Sequence, residues 1–202
     1  VDEEQTISNF WQQVVWRAPG IREATGLMVY YPGVNYGEDV DAVSGPANFI
    51  YFNQPSNELP VRYSLQAMKQ YPWTVNEYLS GQKQTLSYRT HYGVIDPGHL
   101  LVMSQPTQDS CVHIIDRTNP WFSFDDPNMV VTIGQNSNLK TILPKATPPQ
   151  LSKVIFGTEP AHGWCYYFEK AELARQQDDW ARVMSLAEEV ERDGLQPSQN
   201  QP

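Results

Sequence analysis

The chain has 202 residues, 40% of them hydrophobic and 12% aromatic, which is enough for one domain with its own core and too aromatic for a disordered chain. Fourteen basic and 23 acidic residues give a net charge of −9, which argues against binding to nucleic acid or to an anionic membrane surface. No apolar run is long enough to cross a bilayer, and the low share of charged residues, 18%, is typical of exported domains.

A helix is predicted at the start of the chain, over residues 2–17. Its apolar side chains recur at intervals of three and four residues, which places them on one face of a helix. These side chains are Ile7, Phe10, Trp11, Val14 and Val15. Acidic residues in the first turn suit the helix dipole, and Pro19-Gly20 ends the helix.

Short strands and helices are predicted to alternate through the next hundred residues. Strands are expected at 26–31, 62–68, 84–90, 100–105 and 111–116. Helices are expected at 45–52, with Pro46 in the first position, and at 73–79, with a loop at 35–41 before them; residues 128–134 suit either state. Short turns at 96–98 and 106–109 separate the last three strands, which predicts an antiparallel meander. The expected fold class is α/β, a mixed sheet with flanking helices in three layers.

The composition of the chain changes near residue 160. Fourteen of the sixteen prolines lie at or before Pro160, and residues 151–202 carry 14 charged residues in 52, against 23 in the first 150. We therefore expect a mixed α/β domain over residues 1–150, then a linker, a helical region and a polar tail over 151–202. Because neither end has the features of a natural terminus, we also expect a mature form or a piece of a larger protein.

Residues 164–197 predict two helices joined by a tight polar turn at 177–179. The aromatic Trp180 directly after the turn, the helical spacing on both sides and the length of 34 residues resemble a tetratricopeptide repeat. That repeat usually has Gly-Asp before its aromatic residue, whereas this chain has Asp178-Asp179. We expect Trp180 to cover the turn as a buried side chain, and the helical pair to pack on the α/β part through its Cys165 end.

Four segments carry a resemblance to a known family, in order along nearly the whole chain. They are FWQ at 10–12 with WRAP at 16–19, GPANFIY at 45–51, SCVHIID at 110–116 and FGTEPAHGWCYYFEKA at 156–171. Together they resemble the C-terminal extracytoplasmic region of large polytopic membrane proteins from filamentous, Chloroflexus-like bacteria. The multispanning parts of those proteins look like glycosyltransferases of the dolichyl-phosphate-mannose type. The resemblance implies an extracytoplasmic domain that is membrane-anchored in the full-length protein, and it carries over no catalytic residue.

Cys111 and Cys165 are the two cysteines of the chain, so one pairing exists. In an oxidising compartment they would form a disulfide that ties the helical pair to the strands. The alternative is two unrelated buried thiols. Both cysteines fall in segments where the family resemblance is strongest.

No catalytic, cofactor or metal site is predicted from the motifs of the chain. His91, Asp96 and His99 fall within nine residues, but Asp96-Pro97-Gly98 is better explained by turn chemistry. The acidic stretches at 38–41 and 125–126 could bind Ca²⁺ weakly, although solvated loops are the preferred interpretation.

Two histidines and two tryptophans complete the candidates. His113 alternates with apolar neighbours on a strand and is interpreted as a surface or hydrogen-bonded histidine, and His162 as a cap or packing residue. Trp73 and Trp121 each follow a proline in a predicted loop or turn, so they are the possible glycan contacts.

Three functions are carried forward from the sequence. The first is a non-catalytic soluble accessory or interaction domain of a membrane-embedded glycosyltransferase-like protein, with the membrane-embedded part of the same protein, or a protein or glycan acceptor, as partner. The second is a carbohydrate- or glycan-binding module. The third is a small hydrolase in which His91, His99 or His162 meets a carboxylate in a cleft.

Overall fold

The structure, a computed structural model, describes residues 3–31, 40–51, 64–67, 72–88 and 91–198. Seven α-helices lie in these residues: α1 Glu3–Arg17, α2 Val40–Tyr51, α3 Pro72–Leu79, α4 Asn128–Gly134, α5 Lys153–Phe156, α6 Trp164–Gln176 and α7 Trp180–Arg192. The strands are β1 Gly26–Tyr30, β2 Ser64–Ala67, β3 Gln84–Tyr88, β4 His91–Ile95, β5 Leu100–Ser104 and β6 His113–Ile114. None of the described helices has the length and apolar character needed to span a bilayer.

The main sheet has four strands in the order β2-β1-β5-β6. β1 runs parallel to both β2 and β5, with Gly26 opposite Ser64 and Leu100. β6 lies antiparallel to β5 at the edge, with Met103 opposite Ile114. The mixed α/β fold class is therefore confirmed.

The predicted antiparallel meander is right for one of its two pairings, since β6 lies antiparallel to β5, and wrong for the pairing of β3 with β5. β3 pairs with β4 in a separate two-stranded hairpin, and β5 lies parallel beside β1. All five residues of β5 are buried, as expected for a central parallel strand covered on both faces. The turns at 96–98 and 106–109 do form. The second joins the paired strands β5 and β6, whereas the first leads from the separate hairpin into the main sheet, because a turn fixes the local direction of the chain and not the pairing of the strand that follows.

Two hydrophobic cores lie on the two faces of the main sheet. One face packs the α1 side chains Phe10, Trp11 and Val14, with residues of α2 and α5, against Leu27 and Leu101. The other face carries Met28, Leu100, Val102 and Ile115, covered by α3 and α4. This is the predicted three-layer arrangement. The apolar side chains predicted on one face of α1 do lie in this core, with Ile7 partly buried, but the other faces of the helix from Phe10 to Arg17 are buried as well.

Two predicted helices differ in detail from the structure. α2 begins at Val40, so Pro46 lies inside the helix and not at its first position; most of the loop predicted at 35–41 lies outside the described residues. Residues 128–134, which suit either state in sequence, form helix α4 with Val130 and Ile133 buried.

Helices α6 and α7 form the predicted C-terminal pair, joined by a turn at 177–179. The Tyr167 hydroxyl near the start of α6 donates a hydrogen bond to Asp193 at the end of α7, as expected for an antiparallel pair. α6 also packs on α1. Because nothing tests a domain boundary at residue 150, that division stays a prediction.

The predicted burial of Trp180 is wrong. Its side chain is 58% exposed, whereas Leu186 is 1% exposed and anchors α7. Six residues separate the two, which is about 240° around an α-helix. The face of α7 that carries Leu186 therefore turns Trp180 outward.

Candidate ligand-binding cleft

A disulfide joins Cys111 to Cys165, with their Cα atoms 5.1 Å apart. It connects the segment before β6 to the first turn of α6. The predicted bridge is thus confirmed, and it fixes two elements that form the walls of a cleft.

This cleft, called here the Trp121 cleft, has a volume of about 300 Å³ and lies between α1, β6 and α6. Its lining combines one tryptophan and two other apolar side chains with acidic, basic and amide groups. The lining residues are Arg17, His113, Ile114, Asp116, Asn119, Trp121, Phe168, Glu169, Glu172 and Arg175.

Helical spacing brings the polar residues to the cleft. On α6, Glu169 lies four residues after Cys165 and Glu172 three residues later, so both share the face that the disulfide holds against the α/β part. On α1, Gln13 and Arg17 are also four residues apart. The Gln13 side-chain oxygen accepts a hydrogen bond of 2.9 Å from the backbone N–H of Val112, which fixes that face of α1 against β6.

Arg17 is a buried cation at the base of the Trp121 cleft, 1% exposed. Its Nη1 donates to Gln176 Oε1 at 2.8 Å, and Gln176 Nε2 donates to the carbonyl of Leu139 at 2.9 Å. Within the described residues, Arg17 Nη2 has no hydrogen-bond partner. Burial lowers the pKa of this guanidinium.

Glu169 is the second buried charge-bearing group of the Trp121 cleft, with 0% exposure. In the part of the chain that the structure describes, neither carboxyl oxygen has a hydrogen-bond partner. Burial raises the pKa of Glu169 well above its ordinary value, and the charge of Arg17 opposes that rise. Buried polar atoms without hydrogen-bond partners are costly and rare in proteins. Arg17 and Glu169 therefore stand out among the residues that line this cleft.

The charged side chains at the rim of the Trp121 cleft pair with one another. Arg175 binds Glu172 through two parallel hydrogen bonds, Nε to Oε1 at 2.9 Å and Nη2 to Oε2 at 2.8 Å. Asp116 Oδ2 lies 3.9 Å from Arg175 Nη2. The rim therefore leaves little free charge for a ligand.

His113 forms the opposite wall and is held by a buried carboxylate. Its Nε2 lies 2.7 Å from Asp126 Oδ2, which also accepts from the backbone N–H of Ser123 at 2.7 Å; Asp126 Oδ1 accepts from the Ser104 hydroxyl at 2.6 Å. Burial raises the pKa of Asp126, but His113 and these hydrogen bonds outweigh it, so the pKa is lowered. The Trp121 ring meets the His113 ring edge-on, with centroids 5.8 Å apart.

Two sequence-based interpretations change at this wall. Of the two interpretations of His113, the hydrogen-bonded histidine is confirmed. The surface histidine is wrong, because the residue is 4% exposed. Asp126 is not part of a solvated acidic loop, because its side chain is fully buried against His113. Strand β6 has only two residues. The loop that follows it folds back over the face of the sheet that carries His113.

The two predicted glycan contacts have different outcomes. Trp121 is 46% exposed and lines the Trp121 cleft. Trp73 lies in α3, and its side chain is outside the described part of the structure. The structure therefore places Trp121 at a cleft, and the contact through Trp73 stays a prediction.

The remaining candidates do not assemble a metal site among the described residues, where no group of three His, Cys, Asp or Glu side chains converges. Asp96 accepts a hydrogen bond from the Gly98 N–H at 2.9 Å and pairs with Lys83 at 3.0 Å, which is the expected turn chemistry. His99 is exposed, and the side chains of His91 and of residues 38–41 lie outside the described part.

His162 is a packing residue, as expected. Its ring stacks on Tyr166 with centroids 3.6 Å apart, and its Nε2 lies 3.0 Å from Glu159. Glu159 also accepts from Trp16 Nε1 at 2.8 Å. These contacts hold the segment before α6 against α1, away from the Trp121 cleft.

Sequence reasoning missed Arg17, Glu169 and Asp126. A usable signal existed for Glu169, since it lies four residues after a cysteine whose bridge fixes the buried face of α6. Comparison with protein-family models, with curated proteins and with solved structures found no match to this chain. The geometry of the chain itself therefore carries the functional argument.

Proposed function

We propose that this chain is a non-catalytic extracytoplasmic module that binds a saccharide in the Trp121 cleft. The observation that carries the proposal is the meeting of a half-exposed indole with carboxylates, guanidinium groups and an amide around one cavity. A sugar ring has an apolar C–H face and a rim of hydroxyl groups. An aromatic wall beside a few placed polar groups complements both features.

We also propose the kind of larger protein to which such a module would belong. The family resemblance suggests an accessory domain of a membrane-embedded glycosyltransferase-like protein, with a glycan or protein acceptor as ligand. The Cys111–Cys165 disulfide supports an oxidising compartment, because such bridges persist mainly outside the cytosol. In this arrangement the module holds an acceptor near the membrane-embedded part.

The saccharide proposal is tested by isothermal titration of the 202-residue chain with a panel of oligosaccharides. Trp121→Ala removes the stacking surface and is expected to weaken binding about tenfold. Trp180→Ala is the matched control, since that indole is similarly exposed but lies outside the cleft. The proposal fails if no saccharide binds, or if both variants lose binding equally.

A second candidate function is protein contact through α7. Trp180 and Met184 lie one helical turn apart and are 58% and 62% exposed, and exposed apolar pairs of this kind mark interaction surfaces. We propose the membrane-embedded part of the same protein as the partner. Trp180→Glu should then reduce co-purification of the two parts expressed as separate chains, whereas Trp121→Glu should leave it unchanged.

A further inference from the structure

We propose that Arg17 and Glu169 are the specificity-determining residues of the Trp121 cleft and that they bind neighbouring hydroxyl groups of one neutral sugar ring. This inference rests on the proposed saccharide function and narrows it. It starts from two buried residues of the cleft lining that have polar atoms without hydrogen-bond partners among the described residues, Nη2 of Arg17 and both carboxyl oxygens of Glu169.

The hydrogen-bonding needs of the two side chains define the ligand group. Arg17 Nη2 requires an acceptor, and the Glu169 carboxyl presents two oxygens without partners among the described residues. A hydroxyl group both accepts and donates one hydrogen bond. Adjacent hydroxyls of a pyranose can therefore accept from the guanidinium and bond to the carboxyl at once, in either protonation state of Glu169.

The charges that line the cleft favour a neutral ligand. Two cations, Arg17 and Arg175, share the cleft with the carboxyl groups of Asp116, Glu169 and Glu172. Arg175 is already bound by Glu172, which leaves Arg17 as the cation facing the interior. With the rim charges offset by one another, a uronate or a sugar phosphate would bring its charge to the carboxyl of Glu169, and an amino sugar would bring an ammonium group to the buried guanidinium of Arg17.

The size of the cleft limits how much of the ligand is enclosed. About 300 Å³ is at the lower end of the volumes of ligand sites. It suits one ring, with Trp121 at the rim against its apolar face. Further residues of a glycan would extend into solvent.

The inference is tested by ligand-observed NMR titration of the full chain with three sets of probes. The first set is methyl glucopyranoside, galactopyranoside and mannopyranoside; the second is the matching methyl uronides and 2-amino sugars; the third is the mono-deoxy analogues of the best neutral probe. A neutral probe should bind best, and loss of one recognised hydroxyl should weaken binding about tenfold. Preference for a charged probe would overturn the inference.

Two variants connect that preference to the named residues. Glu169→Gln keeps the size of the side chain and replaces one oxygen by a donor. The variant should therefore bind the neutral probe about tenfold more weakly, and it should show a smaller affinity difference between that probe and its deoxy analogue. Glu188→Gln, at an exposed position of α7 outside the cleft, is the control and should change neither. The probe comparisons on the unmodified chain remain decisive if Glu169→Gln does not fold.

The outcomes separate this inference from the proposed function. If Trp121→Ala loses saccharide binding while Glu169→Gln keeps both the affinity and the discrimination of the unmodified chain, the specificity role of the pair is wrong and the saccharide function stands. If no saccharide in any set binds, the proposed function itself fails.

Discussion

Asp126 shows how one buried carboxylate organises a wall of the cleft. It is in contact with His113 Nε2, the Ser104 hydroxyl and the backbone N–H of Ser123. These contacts tie β5, β6 and the loop after Trp121 into one unit. Because they favour the ionised form, they lower the pKa of Asp126 below its ordinary value.

The lowered pKa of Asp126 predicts a pH dependence of stability. The stabilisation is complete above the unfolded-state pKa of about 4 and is lost as the pH falls through the lower folded-state value. Asp126→Asn should therefore reduce the free energy of unfolding at pH 7 by about 1–3 kcal/mol. Below pH 4, the free energy of unfolding of this variant should fall less steeply with pH than that of the unmodified chain. Urea unfolding at several pH values measures both effects. Asp125→Asn, at an exposed neighbour, is the control, and an equal effect there would contradict the prediction.

At the scale of the elements, the ends of α6 and α7 use the same capping motif. At the end of α7, Gly194 has φ 64°, and the N–H groups of Leu195 and Gly194 bond to the carbonyls of Val190 and Glu191. At the end of α6, Asp178 has φ 57°, and the N–H groups of Asp179 and Asp178 bond to Ala174 and Arg175 in the same pattern. Asp178 therefore occupies a left-handed position that glycine adopts with least strain.

The left-handed conformation of Asp178 gives a second prediction. Asp178→Gly should raise the free energy of unfolding by about 0.5–1 kcal/mol, because glycine removes the strain of the left-handed conformation. The reverse exchange, Gly194→Asp, should lower it by a similar amount. Thermal and urea unfolding would detect both, and a destabilised Asp178→Gly protein would show that the Asp178 side chain has another role.

At the scale of the whole molecule, the C-terminal helical pair is held to the α/β part at two places. The disulfide joins α6 to the segment before β6, and Arg17 reaches across through Gln176 to the Leu139 carbonyl. The Trp121 cleft lies between these two attachments. Its geometry therefore depends on the position of α6.

Removal of the disulfide should weaken both stability and the cleft. The bridge closes a loop of 54 residues, for which chain entropy gives about 4 kcal/mol. Cys111→Ser with Cys165→Ser should lower the free energy of unfolding by about that amount and weaken saccharide binding. Reductant should have the same effect on the unmodified chain and none on the double variant. A double variant as stable as the unmodified chain would contradict this account.

The sequence by itself determined the features that depend on local order. The spacing of Phe10, Trp11 and Val14 marked side chains of α1 that lie in the core, because a helix repeats every 3.6 residues wherever it lies. The polar break at 177–179 marked the two terminal helices. With two cysteines, the alternatives were one bridge or none, and the structure decided for the bridge.

Tertiary structure alone decided the features that depend on neighbours distant in sequence. β5 lies beside the adjacent candidate β6 on one side and beside the distant strand β1 on the other, and hydrophobic runs carry no information about the distant pairing. Arg17 and Glu169 are charged residue types that usually lie on protein surfaces, and only the packing of α6 on α1 buries them. Burial is a property of the assembled elements, and for that reason the cleft could not be located from the residues that line it.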